Sequence, residues 1–317
     1  MWDEFQEYLT YLEVDKAVAE RTLQSRRRSL EDFTNYCETN GVGDVSDVSR
    51  RTISKYIDYL VAEGFAYSTI MQERYLSIGA ALRFLYRERL MDKSVMERVD
   101  KDAMKKKARD AMSAEEKKNE NEPPAHLSKE EVYEIAENVG PPSDRNSLLV
   151  KLMFWTGIRA SEACLIEIGD IDLDAPSIKV YSPKTDTTRT VSYPPQEVNP
   201  ELRDWIHNGR LRYKDADSSD RLFLGTKGPI TEHRVNEIVR DAADAAGHQQ
   251  ESRTTKDGLS RSETTAHLLR HSHAMHYLNE EGKSMEDISE HLGHSSLSVT
   301  EKFYAQTTEE RLIDEFS

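Results

Sequence analysis

Residues 265–276 read Thr-Ala-His-Leu-Leu-Arg-His-Ser-His-Ala-Met-His and are predicted to form a helix. His267 and Arg270 are three residues apart, so the imidazole and the guanidinium share one face of that helix. His267 and His271 are four residues apart, which is also a spacing of metal ligands on a helix. The stretch therefore predicts either a catalytic histidine–arginine pair or a metal site that draws further ligands from elsewhere in the chain.

A second stretch, residues 292–304, reads Leu-Gly-His-Ser-Ser-Leu-Ser-Val-Thr-Glu-Lys-Phe-Tyr and is typical of a turn followed by a short helix. It keeps His294 and Tyr304 within about three helical turns of each other. Tyrosine can act as a covalent nucleophile, but its ordinary pKa of about 10 means that cations and a proton acceptor must activate it. Taken alone, an amphipathic helix with a half-buried tyrosine explains this stretch more simply.

An arginine at a tight turn is the first upstream candidate. Residues 156–162, Thr-Gly-Ile-Arg-Ala-Ser-Glu, lie between an apolar helix that is predicted from about residue 145 and a second helix. Arg159 would be poorly solvated there, and Glu162 is near enough to pair with it. The turn predicts a functional arginine, with a purely structural ion pair as the alternative.

The hydrophobic pattern changes to alternation after this turn. Short strands are predicted at residues 170–174, 177–182 and 189–193, and the last two flank a polar hairpin tip that carries Lys184. A lone lysine at such a tip usually serves solubility. Further helices are predicted at residues 128–139, 200–214 and 231–246, the first with a Ser128–Glu131 capping box, and a loop is predicted at 248–264.

The first 100 residues are predicted to fold as four helices, the second ending at Gly41 and the third at Gly64. Their apolar residues recur at spacings of three and four, which indicates a buried core rather than a site. Several arginines lie off these stripes, where they either face solvent or contact DNA phosphates. They are Arg26, Arg27, Arg28, Arg74, Arg83 and Arg87.

The composition changes after residue 100. Residues 101–124 contain no aromatic side chain, are rich in Lys and Glu, and end in two prolines. Their first part has high helix propensity and predicts a solvated helix, in which three consecutive lysines at 105–107 are weak evidence for a nucleic-acid contact. We therefore predict an N-terminal helical domain at 1–100, a charged linker at 101–125 and a C-terminal domain at 126–317.

The net charge of −15 is unevenly distributed. Residues 1–107 hold 18 Lys and Arg against 19 Asp and Glu, whereas the other 210 residues hold 25 against 39. Such a surface predicts either a protein without a polyanionic partner or a salt-adapted surface that reserves a few basic residues for a site. A salt-adapted DNA-binding protein would depend on specific contacts, because electrostatic DNA binding weakens steeply with salt.

The compartment is predicted from three features. No apolar run approaches the length of a membrane span, and the N-terminal residues are acidic rather than signal-like. Cys37 and Cys164 lie far apart in apolar-periodic segments, which predicts small buried side chains rather than a disulfide framework. We therefore expect a cytoplasmic protein that does not associate with a membrane.

Five motifs follow one another along the chain. They are Thr156-Gly157-x-Arg159-x-x-Glu162, Lys184 at the hairpin tip, His267-x-Leu269-Arg270-His271, Leu292-Gly293-His294 and Tyr304. Each is weak alone, but together with the four-helix segment and the linker they resemble the tyrosine recombinase family of phage integrases and Xer-like site-specific recombinases, over essentially the whole chain. The resemblance implies a mainly α fold with a small antiparallel β-sheet, in which an N-terminal SAM-like DNA-binding domain precedes a catalytic domain with a C-terminal exchange helix.

The resemblance also implies a mechanism that needs no metal, no other cofactor and no ATP. Tyr304 would attack the scissile phosphodiester to give a 3′-phosphotyrosyl link and a free 5′-hydroxyl. Arg159 and Arg270 would hold the charge of the pentacoordinate phosphate by bidentate hydrogen bonds. Lys184 is the candidate acid for the leaving 5′ oxygen, and His267 is the candidate base.

Supporting residues and partners follow from the same resemblance. His294 would be the second histidine at the phosphate, Glu162 would orient the arginine turn, and His271 would support the site. The partner would be double-stranded DNA that carries a specific recombination site and is clamped by the two domains. A protein that is monomeric or dimeric when free would assemble as a homotetramer on this DNA, with residues 312–316 docked on a neighbouring protomer.

One departure from the family pattern concerns Tyr304. In most relatives the nucleophile lies nine residues beyond the histidine that matches His294, whereas here that position is Phe303 and Tyr304 is the tenth. One extra residue turns a helix by about 100°, so the segment must loop or rewind to aim Tyr304 at a phosphate. No other tyrosine follows His294, so Tyr304 remains the predicted nucleophile.

Three other functions fit parts of the pattern. A type IB topoisomerase-like relaxase would use the same nucleophile and arginines without a tetramer or sequence preference. A non-cleaving DNA-binding protein of the same fold fits the acidic surface and the displaced Tyr304. A metalloenzyme would take further ligands from His291 and His294. The acidic composition also suggests a haloarchaeal or haloarchaeal viral source, a hypothesis that loss of folding in high KCl would contradict.

Overall fold

The computed structural model describes residues 1–112, 126–249 and 264–293, together with the backbone of two short strands, Arg253–Thr254 and Ser260–Arg261. The chain divides into two units, Met1–Glu122 and Pro123–Ser317, and each unit has a hydrophobic core of its own. No helix in the described part of the chain is both long enough and apolar enough to cross a membrane.

The N-terminal unit is helical, as its apolar stripes predict. A π-helical segment, Thr69–Tyr75, leads directly into the fourth α-helix, so the predicted helix from Ser68 begins with an expanded turn. Short 3₁₀ turns lie at Val45–Asp47 and Met96–Arg98. The α-helices are α1 (Asp3–Val14), α2 (Glu20–Thr39), α3 (Arg50–Ala62), α4 (Leu76–Arg87) and α5 (Lys101–Asp110).

Arg74 lies inside this unit rather than on its surface. Its exposed fraction is 6%, its Nη2 is 2.7 Å from an Asp32 carboxylate oxygen, and its Nη1 donates to Ser29 Oγ at 3.3 Å. An arginine that is buried and whose charge is offset by a carboxylate is not available to a DNA phosphate, so the prediction for Arg74 is wrong. The α-helical spacing of apolar residues predicted that Arg74 faces away from the core. The prediction failed because the π-helical segment changes which residues face inward.

The first part of the predicted linker belongs to the N-terminal unit. α5 packs on α3, where Ala108 is buried and Lys107 Nζ donates to Ser54 Oγ at 3.0 Å. The same Nζ is 2.6 Å from an Asp58 carboxylate oxygen. These contacts correct the linker prediction at residues 101–110 and the interpretation of Lys107 as part of a free basic cluster. Composition predicted a solvated helix because α5 contributes few apolar side chains to the core.

The C-terminal unit combines helices with a small antiparallel sheet. Its capping box at Ser128 and Glu131 is present as predicted, with both reciprocal hydrogen bonds. The helices are α6 (Lys129–Glu137), α7 (Ser143–Thr156), α8 (Ala160–Ala163), α9 (Pro195–Asp204), α10 (Glu232–Ala245), α11 (Ala266–Asn279) and α12 (Met285–Leu292). The strands are β1 (Ile171–Asp172), β2 (Ser177–Ser182), β3 (Thr187–Ser192), β4 (Leu224–Gly225), β5 (Gly228–Pro229), β6 (Arg253–Thr254) and β7 (Ser260–Arg261). A π-helical turn at Trp205–Gly209 and a 3₁₀ turn at Arg210–Arg212 interrupt the helix that was predicted at 200–214.

The core of this unit surrounds α7. Ten of the fourteen residues of α7 are buried, which explains why the helix lacks the polar face of an amphipathic helix. α6, α9 and α11 pack against it. Strands β1, β2 and β3 form an antiparallel sheet in that order, and β2 pairs with β3 along its whole length. The central position of α7 fixes the place at which the arginine turn begins.

The turn after α7 requires a glycine. Gly157 caps the helix with φ of +62°, a left-handed conformation that side chains other than glycine rarely adopt. A Cβ atom at this position would lie 2.5 Å from Leu292 Cδ2 and 2.7 Å from His273 Cδ2. The turn is therefore packed directly against α11 and the end of α12.

Gly157→Ala tests this packing, and Gly247→Ala is its matched control. Gly247 follows α10 with φ of +76°, but a Cβ atom there meets nothing within 4 Å. We expect Gly247→Ala to lower the free energy of unfolding by about 1 kcal/mol through backbone strain alone. Gly157→Ala should lower it by about 3 kcal/mol, because two buried side chains must also move.

Chemical denaturation followed by tryptophan fluorescence measures both losses. Trp155 and Trp205 report on the C-terminal unit, and Trp2→Phe in every variant removes the signal of the N-terminal unit. Equal losses for the two glycines would contradict the close approach of α12 to the turn.

Candidate active site

The buried His273 and the half-buried His291 bind the C-terminal end of α7. His273 on α11 places Nδ1 2.7 Å from the Phe154 carbonyl oxygen, and His291 on α12 places Nε2 3.1 Å from the Thr156 carbonyl oxygen. The two rings stack with 5.0 Å between centroids. Burial lowers the pKa of both, most strongly that of His273, so both are neutral at neutral pH and donate an N–H to these carbonyls. The bonds satisfy groups that a helix end leaves without internal partners.

Arg270 joins the turn after α7 to the end of α12. Its side chain is buried, with Nη1 donating to the Gly157 carbonyl at 2.7 Å and Nη2 donating to the Leu292 carbonyl at 2.8 Å. Leu292 is the last residue of α12, and Gly293 caps that helix in a left-handed conformation. Because the guanidinium is a rigid fork, these two bonds fix both Arg270 and the separation of the two backbone segments.

Glu162 is fully buried and binds two arginines. Its Oε1 accepts hydrogen bonds from Arg159 Nη1 at 2.8 Å and Arg189 Nη1 at 3.1 Å. Its Oε2 accepts from Arg189 Nη2 and from the Arg159 backbone N–H, each at 2.9 Å. Arg189 therefore binds the carboxylate in a bidentate manner, while Glu162 caps α8 and holds Arg159 by backbone and side chain together.

The charge of Glu162 is maintained by these bonds. Burial alone would raise the pKa of this carboxyl, but the hydrogen bonds from Arg189 and Arg159 outweigh burial and lower the pKa to about 2. Glu162 is therefore ionised at neutral pH. One carboxylate faces two guanidinium groups, so the cluster keeps a net positive charge, and Arg159 is the more exposed of the two arginines, at 26% against 15%.

His267 and Lys184 join this cationic cluster. Lys184 lies exposed at the tip between β2 and β3, and His267 lies exposed on the first turn of α11. Loss of water around the His267 ring lowers its pKa, and the positive charges of Arg270, Arg159 and Lys184 lower it further. Arg270 is one helical turn from His267 and binds the carbonyl of Gly157, two residues before Arg159. His267 is neutral at neutral pH and able to accept a proton.

Some predicted site residues lie outside the described residues. These are His294, the nucleophile candidate Tyr304, and the docking segment at 312–316. Tyr277, on α11, packs on His273 with 4.7 Å between ring centroids. Burial raises the pKa of Tyr277 to about 12, so this tyrosine is poorly suited to act as a nucleophile in place of Tyr304.

The histidines that suggested a metal site contact other protein groups in the structure. His271 is half-buried and packs edge-on against His126 with 6.4 Å between ring centroids. His291, the further ligand in that interpretation, binds the Thr156 carbonyl through Nε2. The residues described by the structure include no group of three or more His, Cys, Asp or Glu that could hold a metal ion.

The remaining N-terminal arginines lie at or near the surface of their unit. Arg28 and Arg83 are exposed. The other three make contacts within the unit: Arg26 Nη1 with Ser77 Oγ at 3.1 Å, Arg27 Nη1 with Gln6 Oε1 at 3.0 Å, and Arg87 Nε with a Glu88 carboxylate oxygen at 2.9 Å. The DNA contact stays a prediction for these five arginines.

Sequence reasoning missed Arg189 and α12. Arg189 shares a face of β3 with Val191, which is fully buried, so an arginine on the inward face of an alternating strand was a signal that could have revealed it. α12 begins at Ser284, whose side chain accepts a hydrogen bond from the Asp287 N–H. That Ser-x-x-Asp pattern is a helix start signal.

Comparison with known proteins finds two sequence-family matches. Residues 126–311 match the phage integrase family, and residues 5–89 match its N-terminal SAM-like domain. The tyrosine recombinase XerC of Bacillus subtilis (strain 168) is 25% identical over 308 residues, covering 96% of this chain and 92% of that protein. XerC of Halalkalibacterium halodurans is 28% identical over 317 residues, covering 97% and 93%.

Solved structures share the fold. The XerH site-specific recombinase bound to a palindromic difH substrate has a TM-score of 0.69 at 20% identity, covering 92% of this chain and 78% of that one. The Tn1549 transposon integrase in complex with transposon right end DNA has a TM-score of 0.71 at 18% identity, covering 98% and 99%. These likenesses confirm the predicted fold class, mainly α with a small antiparallel sheet, a SAM-like domain and a catalytic domain.

The lowered pKa of Glu162 predicts an acid-dependent stability. A carboxyl whose pKa is lower in the folded than in the unfolded chain contributes stability above its unfolded value of about 4.3, and this contribution is lost as the pH falls toward 2. The contribution is about 3 kcal/mol. We expect Glu162→Gln to unfold more easily at pH 7, because Arg159 and Arg189 lose their carboxylate, and to lose less stability than wild type between about pH 5 and pH 2.

Chemical denaturation at a series of pH values measures this difference. Glu290→Gln is the matched control, because Glu290 is an exposed carboxylate on the same unit. A parallel decline of Glu162→Gln and wild type with falling pH would contradict the assignment.

Proposed function

Because the chain belongs to the phage integrase family, we propose that it is a site-specific DNA recombinase that cuts and rejoins strands through a 3′-phosphotyrosyl link at Tyr304. The observation that carries the proposal is the turn at residues 157–162, where hydrogen bonds to Glu162 and to the Gly157 carbonyl hold Arg159 and Arg270. This cluster has the charge and the hydrogen-bond donors that phosphoryl transfer requires.

The balance of charge in the cluster favours an anionic ligand. The described part of the cluster combines the cations Arg159, Lys184, Arg189 and Arg270 with the single buried carboxylate of Glu162. Glu162 offsets one of these charges, and an excess of several cations around one small volume is stabilised by a bound anion. Arginine forks match the geometry of phosphate oxygens, so a phosphodiester suits the site.

The proposed reaction has two steps, cleavage of the strand and its rejoining. The phenolic oxygen of Tyr304 attacks phosphorus while the bond to the 5′ oxygen breaks, and Arg159 and Arg270 hold the charge on the phosphoryl oxygens. Neutral His267 accepts the phenolic proton, and Lys184 donates a proton to the departing 5′ oxygen. Attack by a 5′-hydroxyl on the phosphotyrosyl bond then reverses the step, so no ATP is consumed.

His294 and the supporting residues complete the proposal. His294 follows the capped end of α12 and would contact the same phosphate, while Glu162 would orient Arg159. His271 lies one residue beyond Arg270 on the same helix and supports the packing around it. No metal or other cofactor enters these steps.

The partner that we propose is double-stranded DNA with a specific site. The relatives named above are tyrosine recombinases, and the neighbouring XerH and Tn1549 integrase structures contain their own DNA substrates. Arg28, Arg83 and Arg87 are the exposed candidates for phosphate contacts on the N-terminal unit. A homotetramer on DNA, with residues 312–316 docked on a neighbour, agrees with the reversible chemistry, since strand exchange needs more than one active site.

Each of the two alternative functions that act on DNA differs from the proposed recombinase in one measurable property. The extra residue between His294 and Tyr304 favours a non-cleaving DNA-binding protein, which would bind a site without forming an adduct. A type IB topoisomerase-like relaxase would form the adduct on any sequence and relax supercoiled plasmid. We propose a salt-adapted cytoplasmic protein of haloarchaeal or haloarchaeal viral source on composition alone.

Covalent trapping tests the proposed nucleophile. A pool of nicked suicide duplexes, including DNA that flanks the gene, is incubated with wild type and Tyr304→Phe at low and at high KCl. We expect wild type alone to form an adduct, which mass spectrometry maps to the peptide that contains Tyr304. Tyr277→Phe is the matched control and should still form the adduct, because the raised pKa of Tyr277 makes it a poor nucleophile.

The outcomes separate the candidate functions. Specific DNA binding without an adduct would contradict strand transfer and favour the non-cleaving alternative. Adducts on unrelated sequences, together with plasmid relaxation, would contradict site specificity and favour the topoisomerase-like alternative.

A further inference from the structure

Arg189 on β3 binds two segments that are distant in sequence, the Arg159 turn and the end of α12. Its Nη1 and Nη2 bind Glu162, and its Nε donates to the His291 carbonyl at 2.9 Å. Its side chain also lies against the cap of α12, because a Cβ atom at Gly293 would be 3.1 Å from Arg189 Cδ. One half-buried guanidinium thus contacts the carboxylate that holds Arg159 and the helix end that precedes His294.

The strand that carries Arg189 also leads to Lys184. β2 and β3 are paired without interruption from Ser177 opposite Ser192 to Ser182 opposite Thr187, so the hairpin tip continues a regular ladder. Lys184 is five residues before Arg189 in the chain. The bonds of Arg189 to Glu162 and to the end of α12 therefore restrict the position of β3, and with it the position of the hairpin tip that carries Lys184.

We infer that Arg189 is a positioning residue that fixes the Arg159 turn, the Lys184 hairpin and the end of α12 relative to one another. The inference rests on the proposed function, because it assigns these three elements to one phosphate. Arg189 also offsets the charge of Glu162, so the guanidinium of Arg159 keeps positive charge to share with a ligand. Without Arg189, of these two arginines only Arg159 would offset the charge of the buried Glu162 carboxylate.

A lysine cannot replace Arg189 in this role. An ammonium group is a point charge that can pair with Glu162, but it lacks the planar fork that binds a carboxylate with two bonds while a third N–H reaches the His291 carbonyl. Arg189→Lys therefore keeps the charge while removing the bridge. This separates a positioning role from simple neutralisation of a buried carboxylate.

Single-turnover cleavage of the trapped duplex tests the inference in the full-length chain. We expect Arg189→Lys to bind this duplex within about threefold of wild type, and to cleave it about a hundredfold more slowly, because small displacements of catalytic groups have large effects on rate. The matched control is Arg203→Lys, an exposed arginine of the same unit that contacts Asp174 and the Leu173 carbonyl. Cleavage by Arg189→Lys at the wild-type rate would overturn the inference.

A second readout needs no DNA and no cleavage. Arg270, Arg159 and Lys184 act on His267, so a looser arrangement of the last two should raise the pKa of its imidazole toward the ordinary value. NMR titration of histidine-labelled protein, with His267→Gln to assign the signal, should show this rise in Arg189→Lys and not in Arg203→Lys. An unchanged titration of His267 in Arg189→Lys would overturn the inference. Failure of wild type to form any adduct would instead count against the proposed function, and the titration would still decide the role of Arg189.

Discussion

The buried carboxylate of Glu162 is the constraint on which the arrangement of the site depends. A carboxylate without solvent is stable as an anion only if it is paired and hydrogen-bonded on nearly all sides. Arg189 supplies two bonds from a β-strand, and Arg159 supplies two more from the turn at which α8 begins. Because those residues come from separate segments, satisfying one charge brings the arginine turn and the sheet together.

Residues from distant segments also pair the polar groups at the end of α7. Carbonyl groups that the helix cannot pair internally accept bonds from His273, His291 and Arg270, which come from α11 and α12. The two histidines can donate to these carbonyls because the loss of surrounding water keeps their rings neutral. Arg270 then carries its charge at the boundary between core and site. The cations that we propose to hold the phosphate are consequently fixed before any ligand binds, which is the preorganisation that makes electrostatic catalysis effective.

Local patterns predicted much of this arrangement, and contacts between distant segments account for what they missed. The Ser128 capping box, the β2–β3 hairpin and the Arg159–Glu162 pair each depend on residues close in sequence. The ion pair that was the structural alternative for Arg159 exists, and it lies inside the cationic cluster, while the functional role of Arg159 stays a proposal. Arg189 was missed because its partners lie 27 and 102 residues away. Arg74 and α5 were misassigned because a π-helical segment and an intramolecular ion pair override the helical stripe and the composition.

If these cations hold the charge of a phosphate, a duplex whose scissile group is neutral should no longer require them. Replacing the scissile phosphate of the trapped duplex with a methylphosphonate removes the negative charge that Arg159 is proposed to offset. We expect Arg159→Ala to fail to cleave the ordinary duplex but to regain single-turnover cleavage on the methylphosphonate. An equal loss of cleavage by Arg159→Ala on both duplexes would rule out this role, because the arginine would then act on something other than phosphate charge.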